Sequence, residues 1–180
     1  MNLQSHFTLM SDYNQRMNNQ FYRIVEELND FDRTENRGAF FKSIIGTLNH
    51  ILVGDLIWLT RFSKHSDRYV SLATLSDLPK PNGLDDVIIP DFTLLFETRK
   101  KVDFLICKWL KSEVEENDFK MLFEYSNSKG VVSKRDFGEL VSHLFNHQTH
   151  HRGQLSTLFT QMKLDIGGTD FLSEIPDHQA

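Results

Sequence analysis

The segment from Gly38 to Phe62 constrains this chain most, because it is apolar around most of its girth. Phe41, Ile44, Ile45, Leu48, Leu52, Leu56 and Leu59 recur at helical spacing, while Ile51, Val53, Ile57 and Trp58 place apolar surface on the remaining faces. A helix of that character has no solvent face to offer and belongs at the centre of a bundle. Asn49, His50 and Asp55 interrupt the run, which excludes a membrane span. His50 lies mid-segment, with Gly46 and Gly54 four residues to either side. A glycine costs a helix about 1 kcal/mol relative to alanine. The pair therefore predicts either that space is needed around His50 or that another helix approaches closely.

Three further amphipathic segments accompany it. His6 to Leu28 carries Phe7, Met10, Met17, Phe21, Ile24 and Leu28 on one stripe, with polar Asn14 as its weak point; Asn-Asp-Phe-Asp-Arg follows as a linker. Asp91 to Val114 carries Phe92, Leu95, Val102, Ile106 and Trp109, with Asp91 placed to cap its N-terminus. Lys134 to Lys163 carries Phe137, Leu140, Val141, Leu144, Leu155, Leu158 and Met162. Between the second and third helices, Ser63 to Pro90 is punctuated by Pro79, Pro81, Gly83 and Pro90 and reads as a long crossover connection. Alternation of Phe119, Met121, Phe123 and Tyr125, a Ser-Asn-Ser-Lys-Gly turn and Val131-Val132 predict a short β-hairpin before the last helix. The expected fold is all-α: a four-helix bundle with a long crossover and a hairpin excursion, formed as one domain over 1–180.

The 15 Phe residues suit aromatic packing between helices. A formal charge of −5, without a long Lys/Arg run, argues against nucleic acid as a partner. The single cysteine, Cys107, cannot form an internal disulfide and reads as a packing residue. The N-terminus lacks the regions of a signal peptide, so a cytoplasmic location with no membrane partner is expected.

Chemistry concentrates in the run Val-Ser-His143-Leu-Phe-Asn-His147-Gln-Thr-His150-His151-Arg-Gly-Gln154. At about 100° per residue, His151 falls inside the ~60° arc of Leu140, Leu144, Leu155, Leu158 and Met162, and His147 lies just beyond its edge. His147 and His151 are thus an inward pair at i, i+4, a spacing that lets two imidazoles grip one ion. His143 with His147 has the same spacing but faces away from the core. A buried imidazole can also be satisfied by one hydrogen bond, so the spacing alone leaves a metal-free core open. His-Glu-x-x-His is absent, because Gln148 follows His147, and so are the Glu-x-x-His pairs of di-iron bundles. His50 is the best candidate for a third inward ligand, whereas His6, His65 and His178 are expected to be solvated. Three imidazoles suit zinc, nickel or another borderline divalent ion.

Three pieces of sequence carry a resemblance. They are Ser43-Ile-Ile-Gly-Thr-Leu-Asn-His50-Ile-Leu-Val-Gly-Asp55-Leu-Ile-Trp58-Leu, His143-Leu-Phe-Asn-His147-Gln-Thr-His-His151-Arg-Gly-Gln154-Leu, and Gly168-Thr-Asp-Phe-Leu-Ser-Glu-Ile-Pro176. Together they resemble the DinB-like family of small helical metalloproteins, within a thiol S-transferase-like superfamily. The resemblance implies a divalent metal held by His50 from the second helix and His147 and His151 from the last, and a homodimer. Relatives include thiol-dependent S-transferases and a mycothiol-dependent isomerase, in which the metal activates a low-molecular-weight thiol.

The leading expectation is a metal-dependent, thiol-dependent transferase or hydrolase acting on a small electrophilic molecule, with a low-molecular-weight thiol as co-substrate. The alternative is a metal-binding stress-response protein with no turnover. No general base is evident outside the ligands. Asp55 and Arg152 are expected to cap helices or pair with each other. Asn146 or Gln154 could orient a ligand imidazole.

Overall fold

The computed structural model describes residues 2–127 and 129–177. Among them are six α-helices: α1 (Leu3–Glu26), α2 (Asp30–Thr34), α3 (Ile44–Phe62), α4 (Val70–Ala73), α5 (Phe92–Ser112) and α6 (Phe137–Gln161). A two-stranded antiparallel hairpin, β1 (Leu122–Ser126) and β2 (Val132–Asp136), precedes α6. The four long helices form the bundle, with α1 packed most extensively on α5 and α6 packed on both α3 and α1. The crossover carries the short helix α4 and a 3-10 turn, Thr74–Asp77.

Capping sets the helix starts. The side chains of Asn2, Ser43 and Asp91 accept from the backbone N–H groups of Ser5, Gly46 and Leu94, satisfying donors that the first turn leaves unpaired. Ser43 makes α3 begin at Ile44, six residues after the Gly38 start that the sequence suggests. Phe41 belonged to the hydrophobic stripe but lies outside the helix, in a tight turn where Gly38 and Lys42 have positive φ and Lys42 N–H donates to Ala39 at 2.8 Å. The linker after α1 is itself the short helix α2, because Asn29 Oδ1 caps the N–H of Asp32 at 2.9 Å.

The hairpin pairs Leu122 with Asp136 through to Ser126 with Val132. It hands the chain to α6 through the Phe137 N–H bond to Met121 O, 2.9 Å. The aromatic side chains do pack between elements. Phe62, Trp109 and Phe137 meet at centroid distances of 5.2 to 6.2 Å, with Phe123 of the hairpin against Phe62 and Phe137. His65, expected in solvent, instead stacks on Phe137 at 4.1 Å and is half-buried. His6 is likewise half-buried, and His178 lies outside the described residues. Cys107 is buried against Ser11 O, and burial pushes its thiol up to about 11, so it is a packing residue. The segment after α6 returns to α1, where Tyr13 Oη donates to Thr169 O at 2.8 Å and Arg16 pairs with Glu174. No helix among the described residues is long and apolar enough to cross a membrane.

Candidate metal centre

His50 on α3 and His147 and His151 on α6 meet at the interface of those two helices. His50 Nε2 lies 3.0 Å from His151 Nε2 and 3.0 Å from His147 Nε2. His50 and His151 are 5% and 7% exposed, and His147 is half-buried. Gly54 is what admits His147: a Cβ there would stand 2.6 Å from the ring's Cε1. Gly46 serves the neighbouring turn, since its Cβ would overlap Phe41 O at 2.1 Å. The two glycines therefore make room for the groups that surround His50. Phe41, freed from the helix by the Ser43 cap, stacks on the His50 ring at 3.7 Å and 16°.

The outer nitrogens fix the inner ones. His50 Nδ1 lies 2.6 Å from the carbonyl of Leu84 in the crossover. A carbonyl accepts only, so Nδ1 carries the proton and a neutral His50 turns a lone pair inward at Nε2. His151 Nδ1 donates in the same way to Gln154 Oε1 at 2.9 Å, while the Gln154 amide nitrogen faces His150 Nε2 at 3.3 Å. His147 Nδ1 is buried without a partner, against the space left by Gly54. Two lone pairs, on His50 and His151, thus confront each other at 3.0 Å. A proton on His147 Nε2 can satisfy one inner contact and leaves the other without a hydrogen.

Protonation does not relieve the conflict. Desolvation lowers the pKa of all three rings, and neighbouring imidazoles lower those of His147 and His151 further, so that His147 falls to about 3. Neutral imidazoles with converging lone pairs are the state a divalent ion requires. Nitrogens 2.0–2.1 Å from a tetrahedral zinc stand about 3.3 Å apart, so the two His50 contacts need to open by only a few tenths of an ångström, and all three ligand atoms lie within 4.8 Å of one another. The three-histidine group could hold a metal ion.

His143 and His150 are exposed and stand outside this group. His143 turns toward Trp58, 5.2 Å away in an edge contact. Gln154 orients a ring, whereas Asn146 is exposed. Two contributors are not evident from the sequence: Leu84 acts through its backbone, and Phe41 interrupted an apparent helical stripe.

Asp55 and Arg152 do not pair directly. Asp55 pairs with Arg99, and Arg99 reaches Asp103 at 2.9 Å, all three within 3% of full burial. Arg152 donates to Asn14 and Asn18 at 2.5 and 3.0 Å, and Asn18 donates to Asp103 and Gln148 at 2.9 and 3.0 Å. Burial pushes both carboxyls up, Asp103 to about 6, while Arg99 opposes the rise. Two carboxylates and two guanidiniums thus balance in the core, and Asn14, the polar residue in the α1 stripe, is part of that balance.

The model of the DinB family matches residues 1–177. The chain belongs to this family. It is 24% identical over 162 residues to "Protein DinB" of Bacillus subtilis (strain 168), covering 89% of this chain and 88% of that protein. It is 23% identical over 164 residues to "Uncharacterized protein YizA" of the same organism, covering 89% and 91%. The DinB-like fold is a metalloprotein family, as the resemblance in the sequence implied, and the histidine group at the α3–α6 interface is compatible with metal binding.

Proposed function

We propose that His50, His147 and His151 bind one divalent ion, zinc or nickel, through their Nε2 atoms, and that the protein uses it as a thiol-dependent transferase or hydrolase on a small electrophile. The observation that carries this reading is the confrontation of the His50 and His151 lone pairs at 3.0 Å, each held in place by an acceptor behind it. A buried arrangement of that kind is unfavourable until a cation separates the lone pairs.

When bound, the ion supplies Lewis acidity, lowering the pKa of a coordinated water or thiol. The protein's own part is orientation and exclusion of water. Leu84 O and Gln154 Oε1 lock two rings in the ligating tautomer, and Phe41 covers His50. Three ligating side chains leave coordination positions for a reactant.

Metal analysis of protein purified without an affinity tag is expected to find close to one divalent ion per chain. His151→Ala should abolish that stoichiometry, and His143→Ala and His150→Ala should leave it intact. Full occupancy in His151→Ala would sink the assignment.

The burial of His50 and His151 beneath Phe41 favours a second reading, in which the ion is held without turnover. Azide added to the cobalt-substituted protein separates the two. A changed visible spectrum means that a coordination position exchanges with solvent, and an unchanged one means a closed structural site.

A further inference from the structure

His50, Gly54, Trp58 and Arg61 follow one another along one side of α3, at steps of four, four and three residues. His147 lies against Gly54 and His143 against Trp58, so this side of α3 faces the histidine side of α6. The rings form a continuous strip leading away from the candidate metal centre. His147 and His143 have centroids 6.1 Å apart, His143 and Trp58 5.2 Å, and Trp58 and Tyr125 of β1 5.2 Å. His143 is exposed, and His147, Trp58, Tyr125 and Arg61 are half-buried, so solvent reaches the strip along its length.

Arg61 closes the far end. Its guanidinium lies 4.8 Å from the Trp58 ring centroid and 5.2 Å from that of Tyr125. The two rings stand at 64° to each other, so they confine the guanidinium at cation–π distance without both stacking flat on it. The described cations of the bundle interior each have a carboxylate or amide partner: Arg99 has Asp55 and Asp103, and Arg152 has Asn14, Asn18 and Gln148. Arg61 has no carboxylate within ion-pair distance and no side-chain hydrogen bond among the described residues. It lines two grooves, of about 420 Å³ toward the crossover and about 370 Å³ toward the hairpin, whose other cations are Lys80 and Lys64. Glu124 borders the hairpin groove as well, and favours approach of an anion from the crossover side.

We propose that Arg61, held between Trp58 and Tyr125, is the anion-binding end of the ligand site whose other end is the metal centre, and that it selects elongated small molecules bearing a carboxylate. The seven-step rise from Gly54 to Arg61 is about 10 Å of helix, which gives the scale of the separation between the ligand's metal-binding group and its carboxylate. The aromatic strip between them receives an apolar or planar middle. This inference rests on the metal-binding reading for one end of the ligand and on Arg61 alone for the other.

Linear alkyl hydroxamates, which chelate a metal at one end, test both ends with the cobalt-loaded protein. Chains of six to eight methylenes ending in a carboxylate are expected to bind about tenfold tighter than equal chains ending in a neutral amide. Arg61→Met, which keeps an unbranched side chain without the charge, should erase that ratio without changing metal content or affinity for acetohydroxamate. Arg61→Lys should restore part of it. Equal affinities of the two chain types in the native protein, or an undiminished ratio in Arg61→Met, would overturn the proposal. Failure of acetohydroxamate to perturb the cobalt spectrum would count against an accessible metal and leave the second arm to decide on Arg61. In that arm octanoate is titrated into metal-free protein and tryptophan emission is followed, since Trp58 is half-buried and Trp109 is 0% exposed. A saturable change with octanoate, absent with octanamide and absent in Arg61→Met, supports the anion site. No change with octanoate overturns it.

Discussion

The two polar regions inside this bundle use consecutive residues and reach opposite results. Gly54, His147 and His151 face the histidine centre, and the next residues, Asp55, Gln148 and Arg152, enter the charged network on the other side. The network is closed in charge: its two carboxylates are matched by two guanidiniums, and Asn14, Asn18 and Gln148 add hydrogen bonds, although Asp55 Oδ1, Arg99 Nε and Gln148 Nε2 are buried without a hydrogen-bond partner. The histidine centre is open, because the inner nitrogens of His50 and His151 are acceptors facing each other. The charged network and the candidate ligand site therefore differ in whether opposite charges compensate one another, not in burial.

The largest expected effect comes from opening the closed region. Arg99→Met leaves Asp55 and Asp103 buried and facing each other without their cation, and should cost about 3–5 kcal/mol in urea unfolding. A loss under 1 kcal/mol would show that the network is hydrated and not the closed unit described above. Gly54→Ala should act in the opposite manner. Its methyl group displaces the His147 ring, so metal affinity is expected to fall about 10–100-fold while stability changes by less than ~1 kcal/mol. Parallel metal titration and thermal unfolding check the pair of values.

A pH series sharpens the contrast. Desolvation lowers the pKa of His147 in the folded chain to about 3, well below its unfolded value of about 6.5. The unfolded chain then binds more protons between those values, so this contribution to stability is complete above pH 6.5 and declines as the pH falls toward 3. The urea midpoint of metal-free protein should drop more between pH 7 and pH 5 than that of His147→Asn, which lacks the titrating ring. Equal slopes in the two proteins would mean that His147 is hydrated in the folded state. The smallest effect belongs to Gln154→Ala. It removes the acceptor behind His151 and should weaken metal binding by about tenfold, with little change in unfolding.

Much of this arrangement is legible in the sequence because helical period and burial coincide. The stripes locate the four long helices, and the arc of α6 selects His147 and His151 over His143 and His150. The start of α3 is misread, since a hydrophobic stripe cannot show that Ser43 caps at Gly46 and releases Phe41 to cover His50. The charged network escapes for a related reason. Arg99 and Asp103 are an i, i+4 pair of the kind common on solvated helix faces, and only packing of α1, α3 and α6 around them makes the pair internal. Their signal was available: they sit among Phe96, Val102 and Ile106, on the side of α5 that a surface pair would avoid. The role of Leu84 carries no side-chain signal, because a backbone carbonyl acts there.

The distance along the chain between His50 and His151, 101 residues, also sets when the centre can exist. During synthesis His50 emerges early, and its partners belong to the last long helix, so the partly made chain offers an ion at most isolated imidazoles. The centre forms when α6 docks and its register against α3 is fixed. Capture of an ion would then mark a finished bundle, and an ion bound at full affinity would hold the final segment of the chain in place.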